Sequence, residues 1–347
     1  MHIPDGYLSP QTCAVMGAAM VPVWAAAVRK IKQTLKSKHV PLMAIGAAFS
    51  FVIMMYNVPI PDGTTAHAVG GALLAIIVGP WAACISITIA LAIQALLFGD
   101  GGILAFGANT FNMAFVLPFS AYYIYRLIAG NSELTSARRW IGGLAGGYIS
   151  INLAALCAAV EFGLQPLLFH TASGAPLYCP YPLSMAVPAM AVAHLTIAGP
   201  IEGVVTALVI RYLQATNPGM LAIETSSVSG YSRLWWGLAI LLLCSPLGLL
   251  ASGTAWGEWG IDELKEKLGF VPAGLQRLAD RWHALMPDYA LPGFDQSFFQ
   301  SAAGYILSAV VGVAIIAGIT SLFGRFQNTA GRSMLHEDNQ GKGKEFK

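Results

Sequence analysis

The sequence predicts an all-α polytopic membrane protein: a seven-helix bundle followed by a two-helix C-terminal unit, about nine transmembrane helices in all. Three observations predict it. The 347-residue chain is 56% hydrophobic and only 10% charged, against roughly 25% charged residues in soluble domains. Its mean hydropathy is +0.63. Apolar stretches long enough to cross a ~30 Å hydrocarbon core recur along it.

The expected spans are about 11–30, 41–60, 65–80, 81–98, 102–127, 139–163, 186–212, 234–251 and 303–323. The third is short, so tilt or burial beside neighbouring helices must make up its length. Small residues at Gly142, Gly143, Gly146 and Gly147 let helix backbones approach closely in lipid. The Ser-rich stretch from Thr216 to Ser232 marks a linker. The organisation that follows is a core at 1–215, a cytoplasmic linker at 216–233, a two-helix domain at 234–324 with an external segment at 252–302, and a disordered cytoplasmic tail at 325–347. Within the external segment, Ile261 to Leu268 alternates charge and leucine at helical spacing and predicts a short amphipathic surface helix.

Basic residues set the orientation. Arg29, Lys30, Lys32, Lys36 and Lys38 follow the first span, Arg126, Arg138 and Arg139 the fifth, Arg211 and Arg233 bracket the loop after the seventh, and Arg325, Arg332, Lys342, Lys344 and Lys347 follow the last. If the spans alternate, all lie on one side, which is the cytoplasm. The N-terminus is then outside a multi-pass cell-membrane protein and the C-terminus inside. Residues 1–10 (MHIPDGYLSP) lack the basic and apolar regions of a signal peptide, so Met1 is expected to be the mature N-terminus. Five cysteines without a CxxC pair indicate neither a disulfide framework nor a zinc ribbon.

An uncleaved Met1-His2 is a ready-made chelate. The α-amino group, the His2 backbone nitrogen and the His2 imidazole can close two fused rings on one cation, leaving one in-plane position for a fourth donor. That field suits Ni(II), Cu(II) or Co(II) better than Mg or Ca. His67 follows the turn Pro61-Asp62-Gly63-Thr64-Thr65 and sits about one helical turn below the outer surface. Ala66, Ala68, Gly70 and Gly71 leave room there for another backbone. Two readings of His67 stand: a hydrogen-bonded packing histidine, or the fourth nitrogen. Asn109, Thr110 and Asn112 are placed to donate hydrogen bonds to His2 or His67, as groups behind metal ligands do. His194, Glu202 and Glu161 are membrane-embedded; each either pairs internally or belongs to a shell around the ion or a translocation path. Asp5 and Asp62 read as cation attractors at the mouth. His39, His336 and His283 read as solvated, and His170 as a loop residue with a ligand or gating role in reserve.

No G-x-x-x-x-G-K-[ST], H-E-x-x-H or G-x-S-x-G motif occurs, so the chain is read as a non-enzyme without its own ATPase. Transport against a gradient would need energy from a partner subunit or an ion. No nucleic-acid partner is expected.

The opening MHIPDGYLSP, the stretch PDGTTAHAVGGALLAIIVGPW and FGANTFNMAF resemble the CbiM/NikM family over roughly residues 1–215. These are substrate-specificity subunits of energy-coupling-factor (ECF) transporters for cobalt and nickel. Residues 234–324, which include LLLCSPLGLLASGTAWGEWG, resemble the fused NikN or PDGLE-type component, with the signature altered to Val271-Pro272-Ala273-Gly274-Leu275-Gln276. The resemblance implies one Ni(II) or Co(II) as transported substrate, bound by the Met1 amine, the His2 amide and imidazole, and the His67 imidazole. It also implies partners: a transmembrane coupling subunit, a pair of cytoplasmic ATPases and the lipid bilayer. Two other readings stay open, a membrane metalloenzyme or sensor with Glu161 as its base, and an S component for another substrate such as a vitamin.

Overall fold

The computed structural model describes residues 1–34, 40–60, 63–221, 231–251, 253–279, 281–294 and 296–342. His39 and Asp62 lie outside the described residues. The chain is helical almost throughout, as its composition predicts. Helix α1 is Pro10–Thr34 and α2 is Val40–Met54. A small antiparallel pair, β1 (Val58–Ile60) and β2 (Thr64–Ala66), follows, with Val58 opposite Ala66.

The apolar run from 65 to 98 does not form two full spans. Its first part is the eight-residue α3, Gly71–Val78, which begins after the left-handed Gly70 (φ 73°) and stops at Gly79 (φ 84°). Pro80 then opens α4, Pro80–Ile93, in the first-turn position where its missing N–H costs nothing. The segment before α3, which carries His67, is therefore strand to Ala66 and irregular backbone from His67 to Gly70 rather than helix.

Three membrane helices contain a π turn, and each π turn carries a polar side chain. Gln94–Phe98 extends α4 and begins with Gln94. Phe111–Val116 joins α5 (Phe106–Thr110) to α6 (Leu117–Ala129) and includes Asn112. His194–Ala198 joins α8 (Leu183–Ala193) to α9 (Gly199–Thr216) and begins with His194. Pro118 and Pro200 follow two of these turns. Neither can donate to the carbonyl a turn earlier, and a local widening of the ladder accommodates that loss.

Helix α7, Ala137–Leu168, is the hub, packed on α6, α8 and α9. Its glycines act as the spacing predicts: a Cβ at Gly146 would stand 2.9 Å from the Ala121 carbonyl oxygen, and one at Gly147 2.9 Å from that of Glu202. The C-terminal unit comprises α10 (Tyr231–Cys244) with a 3-10 extension, α11 (Ile261–Leu268), α12 (Ala273–Ala279) and α13 (Phe298–Lys342). Both α10 and α13 pack on α2. The amphipathic stretch is indeed α11, with Leu264 fully buried and Lys267 3.8 Å from Glu263.

Six described helices are long and apolar enough to cross a membrane: Pro10–Gln33, Pro80–Phe98, Ala137–Leu168, Leu183–Thr216, Tyr231–Leu250 and Phe298–Leu322. Helix α2 is apolar but shorter, at 15 residues. The backbone of α13 runs on to Lys342. Residues 343–347 lie outside the described set.

Candidate metal site

The N-terminal segment is not a loose tail. Met1, His2 and Ile3 are 6%, 2% and 0% exposed, and the segment runs between the helical core and the external part of the C-terminal unit. Hydrogen bonds fix it along its length. Asn109 clamps Ile3 on both sides: its Oδ1 accepts from the Ile3 N–H at 2.7 Å and its Nδ2 donates to the Ile3 carbonyl at 3.1 Å. The Gly102 N–H adds a second bond to that carbonyl, at 2.8 Å. Tyr7 receives the Cys179 N–H on its carbonyl and donates its hydroxyl to the Trp259 carbonyl, at 2.9 and 2.8 Å. The Ser9 N–H reaches Gln165 Oε1 at 2.9 Å.

Asp5 belongs to this scaffold rather than to the mouth. Its carboxylate accepts the N–H groups of Ile103, Leu104 and Ala105 at 3.0, 2.8 and 3.2 Å, the free donors that precede α5. Burial pushes its pKa up, and these three N–H groups oppose that rise. Gly102 is essential to the fit, since a Cβ there would stand 2.2 Å from Asp5 Oδ1.

His2 and His67 meet. Their rings stack with centroids 5.1 Å apart and planes 27° apart, and His67 is 5% exposed. His67 Nδ1 lies 3.0 Å from the Ala68 carbonyl oxygen. A carbonyl only accepts, so this nitrogen carries the proton and Nε2 holds the lone pair. That Nε2 has no hydrogen-bond partner, and neither do both ring nitrogens of His2, although all three are buried. Buried polar atoms are nearly always satisfied, and such exceptions require an explanation. The Met1 α-amino group is in the same locality: Glu258, one of whose oxygens lies within 4.8 Å of a His2 ring nitrogen, pairs with it at 2.8 Å.

The segment carrying His67 is held by Glu202. From α9, its Oε2 accepts the N–H groups of Val69 and Gly70, each at 2.8 Å, and its Oε1 accepts that of Ala72 at 3.1 Å. Ser50 donates to the Val69 carbonyl at 2.7 Å. Glu202 therefore pairs internally, and the pairing fixes the backbone two residues from His67.

Of the groups expected to donate to the imidazoles, Asn109 binds Ile3 instead. Thr110 donates to the Phe106 and Gly107 carbonyls of its own helix, at 2.7 and 3.1 Å. Asn112 donates to Glu161 at 2.9 Å, and His194 Nδ1 lies 2.8 Å from the Met190 carbonyl. Thr110, Asn112 and His194 are buried and make these bonds to their own helix or a neighbour, whereas Asn109 holds the backbone next to His2. His170 and His283 are exposed.

Two carboxylates that the sequence reading did not single out complete the locality. Glu258, from the C-terminal unit, pairs its Oε1 with the Met1 α-amino nitrogen at 2.8 Å. Asp100, in the turn after α4, places Oδ1 2.9 Å from His2 Nδ1. Its Oδ2 receives the Tyr289 hydroxyl at 2.5 Å and the Gln94 amide at 3.2 Å. Burial acts to raise the Asp100 pKa, but the adjacent His2 and His67 imidazoles and the Tyr289 hydroxyl hold it well below the usual carboxylate range. Burial and the Asp100 charge push Tyr289 far above the usual phenol value, so it remains a donor. A signal for Asp100 existed in the Gly99-to-Gly102 turn just outside a span. Glu258 had none beyond its place in the segment that resembles the fused component.

Two family models match the sequence. Residues 2–220 match CbiM, described as the cobalt uptake substrate-specific transmembrane region. Residues 232–329 match the PDGLE domain. The fused nickel transport protein NikMN of Rhodobacter capsulatus is 52% identical over 337 residues, covering 92% of this chain and 96% of that protein. The probable fused nickel transport protein LarMN of Lactiplantibacillus plantarum is 49% identical over 328 residues, covering 91% and 95%. A crystal structure of a truncated transition metal transporter superposes with a TM-score of 0.58 at 63% identity, covering 62% of this chain and 99% of that one. Those matches, and the Met1-His2 start packed against His67, place this chain in the CbiM family, with a PDGLE domain joined after it.

Proposed function

We propose that this chain is the substrate-binding component of an ATP-driven ECF-type transporter that imports Ni(II) or Co(II). The ion is held in a planar four-nitrogen site made by the Met1 amine, the His2 amide and imidazole, and the His67 imidazole. One observation carries the reading: His2, next in sequence to the chain's own α-amine, stacks its ring on His67, and the buried Nε2 atoms of both rings have no hydrogen-bond partner. Metal transport proteins among the relatives, which span nearly the whole chain, support the same substrate class. The nitrogen-only set rejects Mg and Ca, which favour oxygen.

Topology supports the import direction. Helix α7 is 32 residues long, about 48 Å at 1.5 Å per residue. Its Gln165 end holds Ser9 beside the N-terminal segment, while its Arg138–Arg139 end ties to the loop carbonyls of Ile128, Ser132 and Glu133. The basic loop and the site thus stand at opposite ends of a membrane-length helix. With the basic end cytoplasmic, the site opens outside. A transmembrane coupling subunit and paired cytoplasmic ATPases supply the energy that no motif in this chain provides.

The test is to add three residues before Met1, since a single one would place the histidine third and create a new planar nickel chelate, and to titrate the purified full chain with Ni(II) and Co(II). The extension removes the free α-amine from the chelate, so the planar-nickel d–d band should vanish and affinity should fall more than about a hundredfold. Unchanged affinity would end the proposal for this site. Metal uptake that persists without the ATPase partner would end the transporter assignment.

A further inference from the structure

Asp100, Glu258 and His2 offer one ligand atom each, and the three atoms lie within 4.8 Å of one another. Among the described residues this is the one group of three such side chains placed to share a cation. It overlaps the four-nitrogen set only at His2. Exposure grades across it: the Glu258 and Asp100 side chains are 15% and 19% exposed, while those of Met1 and His2 are 1% and 2% exposed. The oxygens therefore form the solvent side and the nitrogens the interior.

We propose that Asp100 and Glu258 form an oxygen-rich capture site, through which a divalent cation passes on its way to the buried nitrogens, with His2 as the shared ligand. The proposal rests on the four-nitrogen reading above and adds to it a distinct entry step. Three observations support it. Asp100 Oδ1 and His2 Nδ1 stand 2.9 Å apart, yet the pair is not aligned as a hydrogen bond. Two donors each about 2.1 Å from one cation and at right angles stand about 3.0 Å apart, so these two atoms can share an ion without moving. Asp100 is already oriented, because Tyr289 and Gln94 occupy its other oxygen. Glu258 already holds a cation, the α-amino group of Met1 at 2.8 Å, and an arriving divalent ion can replace that partner.

The physical need is clear. A hydrated divalent ion must shed water before it can enter a buried planar site. Partly exposed carboxylates draw it in electrostatically and replace its waters one at a time, which a cluster of neutral buried nitrogens does poorly. Capture is then the unselective step, open to any hard divalent ion, and selection follows at the nitrogens. Glu258 and Tyr289 both belong to the C-terminal unit. The fused unit thus contributes a direct ligand to the capture site and the hydroxyl that aims the other.

Stopped-flow mixing of the purified full chain with Ni(II), followed at the planar-nickel band, tests this. Asp100→Asn and Glu258→Gln keep size and hydrogen bonding but remove the charge. Each should slow loading at least tenfold. Since a capture site serves entry and exit alike, release of bound nickel into excess chelator should slow by a similar factor, moving the affinity less than threefold. The rate should also lose part of its dependence on ionic strength. Asp262→Asn, an exposed acid on α11, should leave loading untouched. Rates within twofold of the parent in both variants would overturn the proposal. So would a changed band at saturation, which would make the carboxylates ligands of the final site. Failure of the four-nitrogen reading itself would show separately, as an unaltered band in the N-terminally extended chain with both carboxylates intact.

Discussion

The imidazoles of His2 and His67 stack at 5.1 Å between centroids, with 27° between their planes. Two imidazolium charges at that separation would repel by about 3 kcal/mol even at an effective dielectric of 20. The arrangement is therefore suited to neutral rings, the form in which histidine binds a metal. One ring comes from an N-terminal segment clamped by Asn109 and the other from a segment clamped by Glu202. Both partners of the stack are thus set by backbone hydrogen bonds rather than by the rings themselves.

His67→Ala should remove the fourth nitrogen while leaving a ring-sized gap beside His2. Nickel affinity should fall more than about a hundredfold, and the planar band should be lost. Millimolar free imidazole, diffusing into that gap, should restore part of the band. Rescue in this variant but not in the N-terminally extended chain would separate loss of one ligand from loss of the chelate. Absence of any rescue at saturating imidazole would argue that His67 acts through packing.

Affinity for nickel should rise with pH. Coordination through the His2 amide releases at least the amide proton, so the apparent binding constant gains at least a factor of about ten per pH unit. Competition titrations against a chelator of known proton dependence, run from pH 6 to 8, measure that slope. A flat profile would exclude amide coordination.

Glu202 is predicted to matter more for position than for charge. Its carboxylate satisfies the N–H groups of Val69, Gly70 and Ala72 in a fully buried setting. Glu202→Ala would leave them unpaired, at about 1–3 kcal/mol for each group. The apparent melting temperature should drop, and bound nickel should show a distorted band because the His67 segment relaxes. Glu202→Gln retains one carbonyl acceptor and should fall between the two. A variant that melts early yet binds nickel with an unaltered band would show that Glu202 supports the fold and not the ligand.

How much of this was legible in sequence depends on the range of the interaction. Composition and apolar run length identified a polytopic helical protein, because a bilayer leaves few other ways to satisfy backbone groups. The stacking of His2 on His67 was foreseen only in part: chelate geometry is local and pointed to Met1 and His2, but the depth of His67 was counted along a helix that does not form there. The roles of Asn112 and Asp5 were not legible. Asn112 was read as a donor to His2 or His67 and Asp5 as a cation attractor, but a side chain's partner is fixed by helix rotation, which apolar helices scarcely encode. Asp100 and Glu258 escaped for a related reason: a lone carboxylate in a turn is common, and only folding brings one to His2 and the other to Met1. The break at Gly79-Pro80 was visible, yet the loss of helix around His67 was not. That segment stays irregular because Glu202, distant in sequence, takes the N–H groups of Val69, Gly70 and Ala72.

Gly6→Ala should uncouple the C-terminal unit from the N-terminal segment. Gly6 adopts φ +92°, and a Cβ there would stand 2.7 Å from the Leu275 carbonyl oxygen and 3.0 Å from its Cα. Two penalties therefore combine, backbone strain of about 1–3 kcal/mol and a clash with backbone that has no flexible side chain to yield. Leu275 is itself pinned, since its N–H and that of Gly274 both bond to the Leu177 carbonyl, at 3.1 and 2.8 Å. The cheaper response is for the external segment to lift. Tryptic cleavage at the exposed Arg277 should then accelerate several-fold. Gly174→Ala supplies the control, with φ +83° but no atom within 4 Å of the added carbon, so it carries strain alone and should leave Arg277 cleavage unchanged. Because lifting also withdraws Glu258 from Met1, Gly6→Ala should slow nickel loading in step with the faster cleavage. Faster cleavage with unaltered loading would separate the docked segment from metal entry.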